Sequence, residues 1–252
     1  MKELGGEQVE GRQAVRELLA AGRRRAREVW LAQGVEDTAI LGEIVELATA
    51  ARVPVRHVSR ARLDGAARTD APQGVLATAD PLPVADLAAL ASASPGLPFL
   101  LVLDGVLDPH NLGALLRTAE AAGVTGAVLP RRRAAHVTAV VAKAAAGAIE
   151  RVPIALVAGI AGALQDLRGK GVWTVGLDPA GTTSVFDLAV ATEPLALVLG
   201  SEGRGLARLV AGRCEVRARI PLAGSIGSLN VAAAGAIACF EVGRQRGMAQ
   251  TD

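Results

Sequence analysis

The chain has 252 residues, 51% of them apolar and 21% charged, with 27 basic residues against 25 acidic ones. That balance excludes extensive disorder, and the length leaves room for one or two domains. The richest apolar runs, Phe99–Leu103 and Leu195–Leu199, have five residues each, far short of the roughly 20 that cross a bilayer. The opening Met1–Gly6 has no apolar signal region, so a cytoplasmic protein without a membrane segment is expected.

In chain order, Val9–Ala21 reads as an amphipathic helix and is followed by the basic cluster Arg23-Arg24-Arg25-Ala26-Arg27. A short strand Val29–Ala32, a helix capped by Asp37 and running to about Ala51, and strands Val53–Val58 and Gly74–Thr78 complete a small α/β domain over residues 1–80. Residues 81–97, with Pro81, Pro83, Pro95 and Gly96, have linker chemistry around a short helix near Ala85–Ala91. From 98 to 252, candidate strands are Phe99–Leu103, Gly126–Leu129, Val152–Ile154, Val172–Gly176, Leu195–Gly200 and Val216–Ile220. Helical patterns lie near 112–122, 137–147, 159–168, 204–211 and 229–245. Continuous apolar strands alternating with helices predict an α/β domain whose parallel sheet is covered on both faces. Such sheets bind ligands beyond the carboxyl ends of their strands.

Cys214 and Cys239 have no ligand spacing with each other or with His57, His110 and His136, so no metal is expected and both cysteines read as small core residues. Lys2, Lys143 and Lys170 are the only lysines, so 24 of the 27 basic residues are arginine. Arginine suits phosphate, but a GC-rich coding bias gives the same excess. With three Phe, two Trp and no Tyr, a nucleic-acid site here does not rest on rows of stacked aromatic rings. Neither GxGxxG after a strand nor GxxxxGK[ST] occurs, which removes the main support for nicotinamide and P-loop chemistry.

Three segments place polar residues where plain turns would otherwise serve. In Asp104–Val124, a helix begins at Pro109 and ends at Gly123. Within it Asn111 reads alone as a cap, and Arg117 reads as either a snorkelling surface arginine or a site group. In Gly200–Leu206, three glycines allow close approach of backbone to a ligand, and Glu202 sits at the mouth of a strand. In Ile220–Val231, Ser228 is a natural N-cap, Asn230 has donors and an acceptor to spare, and Ala232–Ala236 is a helix start with little bulk.

Together these segments resemble the three motifs of the SpoU (TrmH) family of RNA ribose 2′-O-methyltransferases, within the SPOUT superfamily. N-x-G-A-x-x-R-T-A-x-A-x-G-V stands at Asn111–Val124, L-G-x-E-G-x-G at Leu199–Gly205 and I-P-x-x-G-x-x-x-S-L-N-V at Ile220–Val231. Val9–Leu19 is similar to the opening helix of the L30e-like substrate-binding domain of ribosomal members. The resemblance implies a SPOUT catalytic domain over 98–252 with a deep trefoil knot, preceded by an L30e-like domain over 1–80. It implies S-adenosylmethionine held around Gly176, Leu177, Gly200, Gly203, Ile220 and Leu229. It implies catalytic roles for Arg117, Asn111, Glu202, Ser228 and Asn230, with Glu202 orienting Arg117, and a homodimer acting on 23S rRNA.

The arrangement is most similar to members that methylate the P-loop guanosine of the peptidyl-transferase centre. Other rRNA nucleotides, as in antibiotic-resistance enzymes, or tRNA are the alternatives, and an inactive RNA-binding relative is a reading of a different class. Arg117 would act as a base or as an electrostatic stabiliser of the developing alkoxide, and the residues favour the second because arginine stays protonated. For Asn111 and Arg117 to share a site, Asn111 must lie at or before the helix start. The Arg23–Arg27 cluster reads as a phosphate contact or a solvated helix end.

Overall fold

A computed structural model describes residues 4–36, 38–92, 96–132, 137–225 and 227–248. The chain divides into two compact units, Met1–Pro83 with His136–Arg151, and Val84–Ala135 with Val152–Asp252. Elements are numbered in chain order throughout.

The first unit contains β1 (Gln8–Glu10), α1 (Arg12–Ala21), β2 (Ala26–Ala32), α2 (Ala39–Ala50), β3 (Val55–Val58), α3 (Arg60–Ala66) and β4 (Val75–Ala79). Its sheet has the order β1-β4-β2-β3, with β2 and β3 parallel and the other pairs antiparallel. The alternation of β2 decides its two faces. Val29 and Leu31 join Val15, Leu18, Ile44 and Val75 beneath α1 and α2. Trp30 and Ala32 point the other way, to Val58, Leu63 and Leu76 beside α3.

The helix expected over Val9–Ala21 starts only at Arg12, because Gly11 takes φ +95° and residues 8–10 pair with β4 instead. Glu10 is buried in that strand, where its carboxylate accepts from the Arg68 and Thr69 amides. The second helix starts after Thr38, and the proposed cap Asp37 lies outside the described residues.

The chain between two strands of the second unit belongs to the first. It carries α6 (Ala139–Ala144), expected to span 137–147, which buries Ala139, Val141 and Ala142. A 3-10 turn, Ala148–Glu150, then brings Glu150 to Arg24. The two side chains, 2% and 1% exposed, form a bidentate ion pair, Nη2–Oε1 2.6 Å and Nε–Oε2 3.0 Å. Arg24 Nη1 also donates to the carbonyls of Gly6 (2.7 Å) and Asp80 (2.6 Å). Burial on this scale is tolerable only because each charge is matched and hydrogen-bonded. Of the basic cluster, Arg24 is therefore a buried structural residue, whereas Arg23, Arg25 and Arg27 are exposed. Arg23 donates to the Glu150 carbonyl, Arg27 pairs with Asp80, and the Arg25 side chain has no hydrogen-bond or ion-pair partner among the described residues.

The second unit contains β5 (Val84–Ala85), α4 (Leu87–Ala91), β6 (Phe99–Asp104), α5 (Pro109–Ala121), β7 (Gly126–Pro130), β8 (Ile154–Val157), α7 (Ile160–Arg168), β9 (Trp173–Leu177), β10 (Thr183–Ser184), β11 (Leu195–Gly200), α8 (Arg208–Ala211), β12 (Val216–Arg219) and α9 (Val231–Gln245). It is an α/β unit with an eight-stranded, all-parallel sheet in the order β10-β12-β9-β11-β6-β7-β8-β5. Central strands β6 and β11 are apolar at nearly every position because helices cover both faces. Leu100, Val102, Ala196 and Val198 meet Leu164 and Leu167 of α7. On the other face Gly235 of α9 lies so close to Leu115 of α5 and Leu199 of β11 that an added Cβ would stand 2.3 Å and 2.9 Å from them. Each such buried aliphatic chain contributes about 1.5–3 kcal/mol over its exposed state.

From β6 the chain winds through β7 to β8 on one side, whereas β9, β10 and β12 lie on the other side of β11. The carboxyl ends of β6 and β11 therefore flank a topological switch point, where open α/β sheets bind ligands. Among the described residues, no helix is long and apolar enough to cross a membrane.

Candidate active site

Beyond β11 the backbone turns back on itself. Ser201 and Gly205 exchange backbone hydrogen bonds of 3.0 and 2.9 Å, with Gly203 and Gly205 at positive φ. A Cβ on Gly200 would stand 2.1 Å from the Gly205 carbonyl carbon, so no residue with a side chain fits there. Asp104, at the end of β6, accepts from the Ala207 amide (2.9 Å) and ties down the far end of the loop. This turn replaces the first part of the helix expected over 204–211, of which only α8 forms.

The turn walls a cavity of about 310 Å³ whose lining also includes Leu177 and Asp178 after β9, Ile220 after β12 and Gly227–Leu229 before α9. That volume is at the lower end of small-molecule sites. Of the proposed cofactor residues, Leu177, Gly200, Gly203, Ile220 and Leu229 line it. Gly176 is not in the wall but packs behind it, against Leu206 and Cys214. Burial first, then the Asp104 charge, pushes the Cys214 thiol up to about 12.

Four polar side chains gather at the mouth. Asn230, not Ser228, caps α9, its Oδ1 accepting from the amides of Ala232 (2.8 Å) and Ala233 (3.4 Å). The helix N-terminus thereby fixes which end of the Asn230 amide faces outward, and Nδ2 donates to Asn111 Oδ1 (3.2 Å) and Glu202 Oε1 (3.4 Å). The Asn111 amide is then also fixed, with Nδ2 donating to Asp108 Oδ2 (3.0 Å) and to Glu202 Oε1. Asp108 is the cap of α5, the role first expected of Asn111, and its Oδ1 accepts from the His110 amide (2.9 Å). Ser228 lines the cavity instead of capping.

Arg117 is not in this group. Asn111 lies inside α5 rather than before it, so six residues on Arg117 is turned by about 120° and displaced about 9 Å along the axis. It is exposed, with no hydrogen bond or ion pair to any described residue. The expected pairing of Glu202 with Arg117 is absent, and Glu202 is held by two neutral amides. The reading of the residues passed over Asp104, Asp108 and Asp178. An Asp immediately before Pro at a helix start is a capping signal that identifies Asp108. Asp104 and Asp178 carry no comparable local mark. Among the described residues no cluster of three or more candidate metal ligands occurs.

Comparison with known proteins identifies the family. The family model described as SpoU rRNA Methylase family matches residues 98–240, and that described as RNA 2'-O ribose methyltransferase substrate binding matches residues 8–85. The chain is 41% identical over 243 residues to the 23S rRNA (guanosine-2'-O-)-methyltransferase RlmB of Pseudomonas aeruginosa, covering 95% of this chain and 97% of that one. It is 43% identical over 239 residues to the protein of the same name from Shewanella oneidensis, covering 94% and 96%. The solved structure of an AdoMet-bound rRNA methyltransferase from Sinorhizobium meliloti superimposes with a TM-score of 0.78 at 27% identity, over 94% of this chain and 87% of that one. The motif loops, the cavity they enclose and the full-length match lead to one conclusion: the chain belongs to the SpoU rRNA methylase family and is a methyltransferase.

Proposed function

We propose that the chain transfers a methyl group from S-adenosylmethionine to the ribose 2′-hydroxyl of a guanosine in 23S rRNA, with the P-loop guanosine of the peptidyl-transferase centre as its target. The observation that carries this reading is the cavity at the ends of β9, β11 and β12 with Glu202 held at its mouth by Asn111 and Asn230. Its glycine-rich wall leaves backbone groups open to a ligand, and Asp178 supplies a carboxylate suited to a ligand with a positive sulfonium and amine. The residues present fit S-adenosylmethionine on both counts. When bound, that molecule supplies an electrophilic methyl group. Leu177, Gly200, Gly203, Ile220 and Leu229 hold it, and Gly176 supports the wall from behind. Ser228 and Asn230 shape the loop over donor and ribose.

We assign Arg117 to electrostatic stabilisation of the developing charge on O2′. Because it is turned away from Asn111 in its own chain, it reaches a site in the dimer from the second copy. The exposed face of α5 and α9 is the pairing surface, with Phe240 44% exposed on it. The first unit docks rRNA and the second carries the catalysis in the cytoplasm. The linker expected over 81–97 is instead largely part of the second unit, where β5 pairs with β8 and Leu90 and Ala91 join the core, and the expected 98–252 domain is interrupted by 136–151. The last segment threads as a deep trefoil knot, for which the small Ala232–Ala236 run leaves room.

Incubation of the full chain with labelled methyl donor and 23S rRNA from a strain lacking the corresponding gene, followed by mass-spectrometric mapping, tests the reading. The expected product is one 2′-O-methylguanosine in the P-loop. Label at another rRNA nucleotide or in tRNA would redirect the assignment, and no transfer to any RNA would overturn it.

A further inference from the structure

We infer that Glu202 is the group that takes the ribose proton, through its Oε2, and that Asn111 and Asn230 are the positioning residues that aim it. The inference rests on the ribose methylation proposed above. When the O2′–methyl bond forms and the sulfur–methyl bond breaks, the bonding pair returns to sulfur. The proton on O2′ must then pass to a lone pair on the protein or to solvent. A guanidinium has no acceptor, so Arg117 cannot receive it in its protonated state.

The acceptors at the mouth can be taken one by one. Asn230 Oδ1 is occupied by the N-terminus of α9, and Asn111 Oδ1 by Asn230. Both oxygens of Asp108 are engaged, one by the His110 amide and one by Asn111. Asp178 is spoken for by the Ala180 amide (2.9 Å) and Arg217 (3.7 Å). The Ser228 hydroxyl is too weak a base, and His110 does not line the cavity. Glu202 differs from all of these. Its Oε1 accepts from both asparagines, while Oε2 has no partner among the described residues. Glu202 alone both lines the cavity and belongs to the amide cluster, and it is exposed, so a ribose from solvent reaches it. Two neutral amides fix the carboxylate's direction without the full countercharge that an arginine would bring.

The test uses the full chain and an rRNA fragment carrying the mapped target nucleotide, with either a 2′-hydroxyl or a 2′-hydrogen at that ribose. Without methyl donor, the wild-type chain should bind the hydroxyl form about tenfold more tightly, the scale of one hydrogen bond to a charged acceptor. Glu202→Ala should reduce that preference to less than about twofold, and Asn111→Ala should reduce it partly, with calorimetric affinity for S-adenosylmethionine kept within about threefold. In single turnover, Glu202→Gln should lose about 10²–10⁴ in methyl transfer, the usual contribution of a positioned base. Transfer by Glu202→Gln within about tenfold of wild type, or an undiminished hydroxyl preference in Glu202→Ala, would overturn the assignment to Glu202 and leave ribose methylation standing. A wild-type chain that methylates no RNA would remove both readings.

Discussion

Asn230 does two jobs with one amide, and the two are separable by substitution. Its oxygen closes the α9 N-terminus and its nitrogen holds Asn111 and Glu202. Asn230→Asp keeps an acceptor for the helix but places a second carboxylate beside Glu202. Thermal stability should stay within about 0.5 kcal/mol of wild type, because Asp and Asn cap equally well. Methyl transfer should fall at least about thirtyfold, on the scale of an interaction used in orienting the base. Asn230→Ala should lose both, with about 1 kcal/mol of stability gone. The cysteines give a second check at this scale. Burial pushes the Cys239 thiol up to about 12, and burial with the Asp104 charge does the same for Cys214. Because the thiolate is the reactive form, both should resist alkylation at pH 8 in the folded chain and react once denaturant is added.

At the scale of an element, the loop after β11 works only because Gly200 has no side chain. Gly200→Ala would force its Cβ into the Gly205 backbone, so the loop must open and the cavity wall with it. Calorimetry should register at least about a tenfold loss of S-adenosylmethionine affinity, since a displaced wall forfeits more than one hydrogen bond. The last turns of α9 carry a pH-dependent contribution. Hydrogen bonds from Arg244 and then Gln245 hold the Glu241 carboxyl down at about 2. Its ordinary value is about 4.3, so the stabilisation is fully present above that pH and disappears as pH falls towards 2. Glu241→Gln should flatten this part of the melting temperature against pH; an unchanged slope would mean the pairing does not persist in solution.

For the whole molecule, the segment 136–151 makes the first unit depend on chain that follows β7. Glu150→Ala leaves the buried Arg24 uncompensated and should cost about 3–5 kcal/mol in urea unfolding. Trp30 reports on this unit in a Trp173→Phe background. The double change Arg24→Leu with Glu150→Leu should restore most of that loss, because neither charge then remains buried. The proposed dimer makes a sharper prediction. Arg117→Ala and Glu202→Gln should each be impaired at least about a hundredfold alone. A mixed dimer, however, pairs an intact Glu202 with an intact Arg117 at one of its two sites. Mixing and refolding the two variants should restore methyl transfer, whereas an arginine acting within its own chain would give none.

Much of this architecture was legible in the residue order. The strand expected at Leu195–Gly200 is β11 residue for residue, and Phe99–Leu103 falls one residue short of β6, because a run apolar at every position has only a doubly covered strand to occupy. The motif spacings identified the family, and their glycines marked the loop at the cavity. Local patterns do not record which distant partners share an interior. Arg24 looked like one of a solvated cluster until Glu150, 126 residues away, neutralised it. The segment around α6 looked like part of the catalytic sheet's crossover, yet its apolar side is buried in the other unit. Ser228 and Asn111 were both reasonable caps, and the amides that actually face the helix ends chose Asn230 and Asp108. Periodicity and motif chemistry, which act over a few residues, therefore determined the class of fold and the family. Which side chains meet at the mouth of the cavity, Asn111 with Glu202 across 91 residues and with Asn230 across 119, was decided only when the sheet brought separate loops to one edge.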